Sequence, residues 1–328
     1  MSRPPKSGLH PRVPIRTMAI LILKLSPEKV MVERQKLNRA KIEAAKNNLE
    51  RAYLSLADLQ GIDLSGGRLK EAELNKSNLK GANFEGAGLN GAEFMGTNLI
   101  LANFKNAALI RTDFSHGNVS GADFSETDLT KAKFIKTLGR KAIFKNANLT
   151  RVEFSPVMLD DADLSGANLH KSDLRGGSFI GADFSQASIL KAHLSKANFS
   201  KTNFQNADVT GCNLTLCDFR DASLREANFT DSIVTRCQFK GADLRGACFR
   251  GSNVRGADFA EALLEGTDFS GADLGLVTNF TSEQVNSMMI DKKTKLPDHL
   301  QVDWIDDTTF KCHEDGQSQP AKQRRYWG

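Results

Sequence analysis

The 328-residue chain has few of the large residues that usually fill a globular core, with only 2 Trp and 2 Tyr. No apolar run approaches the ~18 residues that a membrane-spanning helix needs, so such a helix is excluded. There are only 5 Cys, an odd number over a long chain. A disulfide framework is therefore not expected, and a reducing, cytoplasmic compartment is favoured. What the chain does contain is 20 Phe, and their spacing is informative.

A period of five residues runs from Leu54 to Leu274. Of the 45 residues in that range whose numbers end in 4 or 9, 18 are Phe and only Gly139 is not a large apolar residue. Two positions earlier, 42 of 45 residues are Ala, Ser, Thr, Gly or Cys. Neither a helix nor a strand has this period. A backbone that turns a corner every five residues would direct the large and the small residue into one narrow interior. At Gly139 we expect a tolerated defect, with Leu138 turning inward through a local bulge.

The pentapeptides themselves match a known motif. Ala162-Asp163-Leu164-Ser165-Gly166 and Ala242-Asp243-Leu244-Arg245-Gly246 resemble the A(D/N)LXX unit of the pentapeptide-repeat family. The resemblance implies an all-β solenoid, a right-handed quadrilateral (four-sided) parallel β-helix in which four pentapeptides form a coil of 20 residues. The repeats would make about 11 coils, with residues 20 apart stacked at about 4.8 Å.

The Phe residues support a coil of 20 residues, because they fall into columns with that spacing. Stacked rings in such columns would each contribute ~0.5–1.5 kcal/mol beyond the burial of their area. The columns are Phe84, Phe104, Phe124 and Phe144; Phe94, Phe114, Phe134 and Phe154; Phe179, Phe199, Phe219, Phe239 and Phe259; and Phe229, Phe249 and Phe269.

The two ends of a β-helix expose unpaired backbone and core, so we expect caps there. Ser26 and Pro27 begin a predicted N-terminal helix, and Thr281 to Gln284 form a predicted capping box whose helix continues to Ile290. A similar helix and Thr-x-Leu-Pro tail follows the repeats in many bacterial family members, which implies a bacterial protein. The expected segments are an arm at 1–25, a helical cap at 26–50, the β-helix at 51–275, a C-terminal helical cap at 276–308 and a disordered tail at 309–328.

The arm contains a short apolar segment, Met18–Leu23. Lys24 interrupts it and no small-residue cleavage site follows, so we favour a strand or plug that covers the first coil over a signal peptide. Translation that begins at Met18 is a further alternative.

Positive charge is unevenly distributed. Residues 1–50 hold 11 basic and 4 acidic residues, whereas residues 51–275 hold 26 and 27. Within the repeats, five cations spaced by 20 residues form a predicted basic ladder on one edge, suited to a phosphate backbone or an acidic partner. Nucleic acid is nevertheless disfavoured, because Asp113, Glu153 and Asp173 lie two residues beyond ladder members and are expected to neutralise them. The members of the basic ladder are Arg111, Lys131, Arg151, Lys171 and Lys191.

A second set of cations wraps several faces and is interleaved with Asp218, Asp221, Glu226 and Asp231. We expect this set, the arginine collar, to be a solvated surface of mixed charge. Its members are Arg220, Arg225, Arg236, Lys240, Arg245, Arg250 and Arg255.

No constellation for catalysis is evident. Cys212, Cys217 and Cys237 occupy small interior positions, where free thiols that act as small apolar residues are favoured over a Cys217–Cys237 disulfide. The six His are scattered and pair with no nucleophile or metal-ligand set. The sequence therefore predicts no enzyme, no cofactor and no metal.

The leading hypothesis is a non-catalytic protein-interaction scaffold whose partner is unknown and which is open to homodimerisation. The resemblance offers an alternative, because some family members mimic DNA and modulate DNA gyrase; the near-neutral repeats disfavour it here. A third hypothesis has the basic arm anchor the protein to an anionic membrane surface or to nucleic acid.

Overall fold

The computed structural model describes residues 39–314. Its regular elements are a helix α1, a 3₁₀ helix, a stack of parallel coils, a helix α2 and two strands, β1 and β2. Parallel β-bridges hold the sides of the coils together between Tyr53 and Thr278. The elements span Arg39–Ala44 for α1, Lys46–Asn48 for the 3₁₀ helix, Ser282–Ser287 for α2, Leu300–Trp304 for β1 and Phe310–Glu314 for β2.

Each pentapeptide of the rod uses its five positions in the same way. Residues with numbers ending in 4 or 9 and in 2 or 7 are buried, while the residue between them, ending in 3 or 8, faces outward and makes the bridge. Two residues then turn the corner. We call the one ending in 0 or 5 the first corner residue and the one ending in 1 or 6 the second corner residue.

The second corner residue has a left-handed backbone, with φ of 58° at Arg111 and 64° at Gly121. This conformation costs a non-glycine residue roughly 1–2 kcal/mol. It directs the corner N–H to the next coil, where the N–H of Arg111 donates to the carbonyl of Thr130 at 3.0 Å. The outward Asp or Asn closes the turn, as where Asp123 Oδ1 accepts from the N–H of Ser125 at 2.8 Å.

One coil contains 20 residues, as predicted. Asn83 bridges to Asn103, and Asn103 bridges to Asp123, with the strands parallel. The N–H of Phe84 donates to the carbonyl of Asn103 at 2.6 Å, and the N–H of Asn103 donates to the carbonyl of Ala82 at 2.9 Å. Four outward positions per coil carry such bridges, so the rod has four sides.

The Phe columns fill the interior in the predicted way. The rings of Phe84 and Phe104 stack at a centroid distance of 4.8 Å with 6° between their planes. Phe94, from the column on the opposite side, meets both rings edge-on at 5.7 Å. Aromatic rings therefore stack along the axis and meet edge-to-face across it, which are the two arrangements that their quadrupoles favour.

The repeat continues through Gly139, but the bulge expected there is absent. Leu138 remains outward and bridges to Met158, so no bulge forms. The space that a side chain at Gly139 would fill is already occupied, because a Cβ there would lie 2.6 Å from Leu159 and 2.9 Å from Val119. Neighbouring coils thus close over the missing side chain, and Leu138 is left 47% exposed on the surface.

At the N-terminal end, α1 places Ile42 in the core, and Ala45 after it is also buried. The predicted helix to Glu50 ends earlier, at Ala44, because a 3₁₀ turn leads the chain into the first coil, where the N–H of Leu49 donates to the carbonyl of Arg68. Residues 1–38 lie outside the described residues, so the arm, the segment Met18–Leu23 and the cap at Ser26 stay predictions.

At the C-terminal end, the capping box of Thr281 and Gln284 is present as predicted. Gln284 also donates to the carbonyls of Phe259 at 3.0 Å and Ala262 at 3.1 Å, which lie in the last coil. The helix ends at Ser287 instead of continuing to Ile290. The chain leaves the helix because the N–H of Met289 donates to the carbonyl of Thr267, which adds a bridge to the rod.

The boundary at 309 also differs from the expectation. Phe310–Glu314 is not a disordered tail but strand β2, which pairs antiparallel with β1. Trp304 and Phe310 meet across the hairpin at 5.4 Å, and both pack against the core. Burial of these rings, together with Cys312, orders a segment whose polar composition suggested none. Residues 315–328 lie outside the described residues.

Candidate functional site

The basic ladder lies on one edge of the rod. Arg111, Lys131, Arg151, Lys171 and Lys191 are second corner residues of five successive coils, and all five are exposed. The N–H of each donates to a carbonyl of the next coil, at 3.0 Å for both Arg111 and Lys191. The backbone positions of the cations are therefore held by the same hydrogen bonds that hold the coils, and four intervals of about 4.8 Å give a straight row of about 19 Å.

The ladder cations form no ion pairs with the carboxylates that the sequence suggested. Within residues 39–314, none of its five cations lies within 4.0 Å of a carboxylate oxygen. Asp173 is held by Arg175 at 2.6 Å, and Asp113 accepts the N–H of Ser115 at 2.9 Å. The chain turns inward between a second corner residue and the outward residue two positions later, so the two side chains lie on different sides of the corner.

Pairing depends on which corner position a cation occupies. Of the 12 Lys and Arg at first corner positions in residues 51–275, ten lie within 4.0 Å of a carboxylate. There are also 12 Lys and Arg at second corner positions in this range, all of which is described. Of these only Arg51 lies within 4.0 Å of a carboxylate, with Glu71 at 2.6 Å. Six of the ten paired first corner cations reach an outward Asp of their own coil or of the next coil, and the other four reach an Asp or Glu at a second corner position. A second corner side chain projects from the vertex.

The arginine collar follows this rule. Six of its seven members are first corner residues and form ion pairs, whereas Arg236 is a second corner residue and forms none in residues 39–314. Arg245 and Arg225 both engage Asp243, at 2.8 and 2.6 Å. Arg250 engages Asp268, whose side chain is only 7% exposed. The predicted surface of mixed charge is therefore present, and six of its seven cations are paired.

Hydrogen bonds at the collar shift carboxyl pKa values. Burial alone would raise the pKa of Asp218, but hydrogen bonds from the side chain and backbone of Arg220, together with its charge, outweigh burial and lower the pKa. At Asp268, too, burial alone would raise the pKa, but hydrogen bonds from Ser270 and Arg250 lower the pKa.

One side of the rod next to the ladder forms a wider basic surface, which we call the basic strip. It contains seven basic and two acidic residues. Both acids are engaged: Glu126 lies 3.8 Å from Lys105, and Asp128 accepts hydrogen bonds from the backbone and hydroxyl of Thr130 at 3.0 and 2.6 Å. The basic strip comprises residues 105–111, 125–131, 145–151, 165–171 and 185–191.

The side of the rod beyond the ladder is different. Its outward positions in the same five coils carry three carboxylates, one Lys and one His. A polyanion that contacts the ladder would meet less repulsion over the basic strip than over this side. These outward residues are Asp113, Lys133, Glu153, Asp173 and His193.

The described residues give no sign of a chemical centre. All five Cys lie within 39–314 and are free thiols, as predicted, and burial raises the pKa of Cys212 to about 12. No group of three or more His, Cys, Asp or Glu in this range is arranged to hold a metal ion. None of the helices described is long and apolar enough to cross a membrane.

The coil geometry defines a four-sided parallel β-helix, a repeat solenoid with an aromatic interior. The chain belongs to the pentapeptide repeat family: the family model described as pentapeptide repeats (8 copies) matches in six stretches within 52–155 and 217–275, and the pentapeptide repeat region model matches residues 157–229, across the gap between them. Members of this family form right-handed, four-sided β-helices. The six stretches are 52–91, 77–115, 102–138, 120–155, 217–256 and 252–275.

Solved structures of pentapeptide repeat proteins are similar to this chain. HetL, involved in heterocyst differentiation regulation in the cyanobacterium Nostoc, is 25% identical over 71% of this chain and 94% of its own, with a TM-score of 0.43. Full-length QnrB1, a plasmid-mediated fluoroquinolone resistance protein, is 18% identical over 69% and 92%, with a TM-score of 0.22. A thylakoid-lumen protein of Arabidopsis thaliana is 26% identical over 46% and 70%, with a TM-score of 0.16. No curated protein matches the chain.

Proposed function

We propose that this protein is a non-catalytic interaction scaffold whose rod docks an acidic partner along the basic ladder. The observation that carries the proposal is the pairing contrast: ten of 12 first corner cations in the rod are ion-paired, whereas the five ladder cations, although aligned and exposed, have no carboxylate within 4.0 Å among residues 39–314. Unpaired charges held at fixed spacing are available to a partner without first breaking an internal ion pair.

The proposal is tested by affinity capture from an extract of the native host with the full-length chain as bait. The ladder variant carries Gln at all five ladder positions. A matched control carries Gln at five other exposed second corner lysines that also form no ion pair in the described residues, so the net charge and the backbone conformation are the same. The control positions are Lys76, Lys136, Lys141, Lys196 and Lys201.

We expect a partner that the wild type and the control variant capture and that the ladder variant does not. Equal capture by all three proteins would contradict docking on the ladder. Turnover of any substrate that disappeared on a single surface substitution would contradict the non-catalytic assignment. A bacterial origin, a cytoplasmic location and homodimerisation stay predictions of the sequence.

The alternative of a DNA-mimicking gyrase modulator has less support. A DNA mimic presents negative charge, but the basic strip presents the opposite sign over five coils. A supercoiling assay with purified gyrase separates the two functions, since the scaffold proposal expects neither inhibition nor protection from quinolones. Membrane anchoring by the arm concerns residues that are mostly outside 39–314; liposome flotation with and without residues 1–50 tests it.

A further inference from the structure

We infer that the basic strip binds the sugar–phosphate backbone of double-stranded nucleic acid without reading its base sequence. This inference rests on the proposed function and names the class of partner. The basic strip differs in charge from the rest of the rod. The strip carries seven basic and two acidic residues, although residues 51–275 as a whole carry 26 and 27. The positive potential is therefore local and confined to one side of the rod.

The length of the ladder suits a duplex. The row is about 19 Å long, which is a little more than half of the ~34 Å helical turn of double-stranded DNA, so cations along it can reach phosphates of both strands on either side of a groove. Lys and Arg side chains are long and can adjust to the positions of those phosphates. The rigid hydrogen-bonded corners keep the row straight, which suits a stiff partner.

Polar side chains at the centre of the basic strip are already engaged with one another. The hydroxyl of Thr150 donates to Asn148 Oδ1 at 2.7 Å. The amide of Asn148 donates to Thr130 Oγ1 at 3.0 Å and to Asp128 Oδ1 at 3.2 Å. Base edges are read by free side-chain donors and acceptors, and at the centre of the strip this network already engages the side chains of Asp128, Thr130, Asn148 and Thr150. The cations remain, and they recognise phosphate rather than sequence.

The surface of the basic strip suits nucleic acid better than an acidic protein. Stable protein interfaces are centred on buried aromatic or aliphatic anchors. The strongly exposed large apolar residues of the described chain include Leu101, Leu138 and Met158, and none of them lies in the basic strip. Its apolar residues Ile110 and Leu190 are half-buried at the two ends. A polyanion needs no such anchor.

The test measures fluorescence anisotropy of two labelled 25-base-pair DNA duplexes of unrelated sequence as a function of salt. The wild type, the five-site ladder variant and the matched control variant are compared as full-length chains. All three share residues 1–50, with their 11 basic and 4 acidic residues, so any contribution of that segment is common to them.

We expect the wild type to bind the two duplexes with equal affinity. The slope of log K against log salt should be less steep in the ladder variant by up to about 4.5, because each phosphate that the variant no longer neutralises reduces the slope by about 0.9. A slope difference of about 4.5 corresponds to a difference of about 500-fold in the loss of affinity between 50 and 200 mM salt. The control variant should keep the wild-type slope. If the five-site variant is unfolded by circular dichroism, the single change Arg151→Gln should reduce the slope by about 0.9.

Equal reduction of the slope in the ladder and control variants would overturn the inference, because net charge alone would then explain binding. So would a tenfold preference for one duplex. Poly-glutamate of matched charge is the probe for an acidic protein. If only its binding depends on the ladder, the nucleic-acid inference fails and the proposed docking surface stands. If neither probe depends on the ladder, both fail.

Discussion

The basic ladder and the arginine collar lie on the same scaffold and contain similar numbers of cations, yet they differ in ion pairing. In the collar, Arg220 reaches Asp218 in its own coil and Arg225 reaches Asp243 in the next coil, both at 2.6 Å. In the ladder, Arg111 and Asp113 are equally close in sequence and form no ion pair. The order of the two residues decides whether they form an ion pair. Where an Asp precedes the cation by two positions, both side chains lie on one side of the rod. Where the cation precedes the Asp, a corner separates the two side chains.

The comparison teaches that charge counts along a solenoid say little about its surface potential. A cation moved by one position, from the first to the second corner residue, passes from a paired to an unpaired environment. The collar is then a surface of internal ion pairs, each of modest strength because most of its cations are exposed. The ladder retains its charge for a partner. Four predictions test this contrast, from the largest expected effect on stability to the smallest.

The largest effect should come from the interior, which we expect to be equivalent beneath the two regions. Phe124, beneath the ladder coils, stacks between Phe104 at 4.8 Å and Phe144 at 5.0 Å. Phe239, beneath the collar, has stacking partners at 5.3 and 5.0 Å. Phe124→Ala and Phe239→Ala should each lower the free energy of unfolding by about 3–5 kcal/mol. Urea denaturation measures both losses of free energy of unfolding. Losses that differ by more than about 2 kcal/mol would show that the two cores are not equivalent.

Acid should affect the collar through its lowered carboxyl pKa values. A carboxyl whose pKa is lower in the folded state stabilises the protein above its ordinary pKa, near 3.9 for Asp, and that contribution is lost as the pH falls through the folded value. Because hydrogen bonds from Arg220 overcome burial and lower the pKa of Asp218, Arg220→Gln should destabilise the protein at pH 7.

The difference between the wild type and Arg220→Gln should shrink as the pH is lowered from 5 to 3 in urea denaturation. The ladder change Arg111→Gln is the control and should leave stability unchanged across this range. A difference for Arg220→Gln that grows towards low pH would contradict the assignment.

A pair of double-mutant cycles compares the two residue orders directly. For Arg245 and Asp243, which are bidentate at 2.8 and 2.9 Å, the changes to Gln and Asn should show a coupling energy of about 0.2–1 kcal/mol. For Arg111 and Asp113 the same changes should show none, since the two side chains do not meet. Coupling of similar size in both cycles, measured by urea denaturation, would remove the distinction between the regions.

The smallest effect on stability should come from moving one cation by one position. Thr130→Lys combined with Lys131→Asn transfers a charge from the second to the first corner residue, next to Asp128, and Asn suits the left-handed backbone at 131. Net charge should be unchanged, and stability should change little, because the new ion pair with Asp128 replaces the hydrogen bonds that the Thr130 hydroxyl makes with Asp128 and Asn148. The protein should nevertheless elute earlier from a cation exchanger, because the moved charge pairs with Asp128; an unchanged elution position would argue against the corner rule.

Several features of the fold were predictable because they depend on local pattern. The 20-residue coil, the Phe columns, the free interior thiols and the capping box of Thr281 each follow from residue size, spacing or hydrogen-bonding capacity within a few positions. The sequence reasoning was wrong at Gly139, at the end of α2 and at Phe310–Glu314. In each of these places the outcome depends on residues from another coil or strand, such as Leu159 beside Gly139 or the carbonyl of Thr267 beside Met289.

The amino-acid sequence alone determined which side chains enter the interior and that Arg111 and Lys191 belong to one edge, because a strict period leaves a single register. It did not determine whether those cations are neutralised. That depends on which side of a corner each carboxylate lies, and therefore on the left-handed backbone at the second corner residue and on stacking between coils. The tertiary structure decided that the collar is paired and the ladder is free.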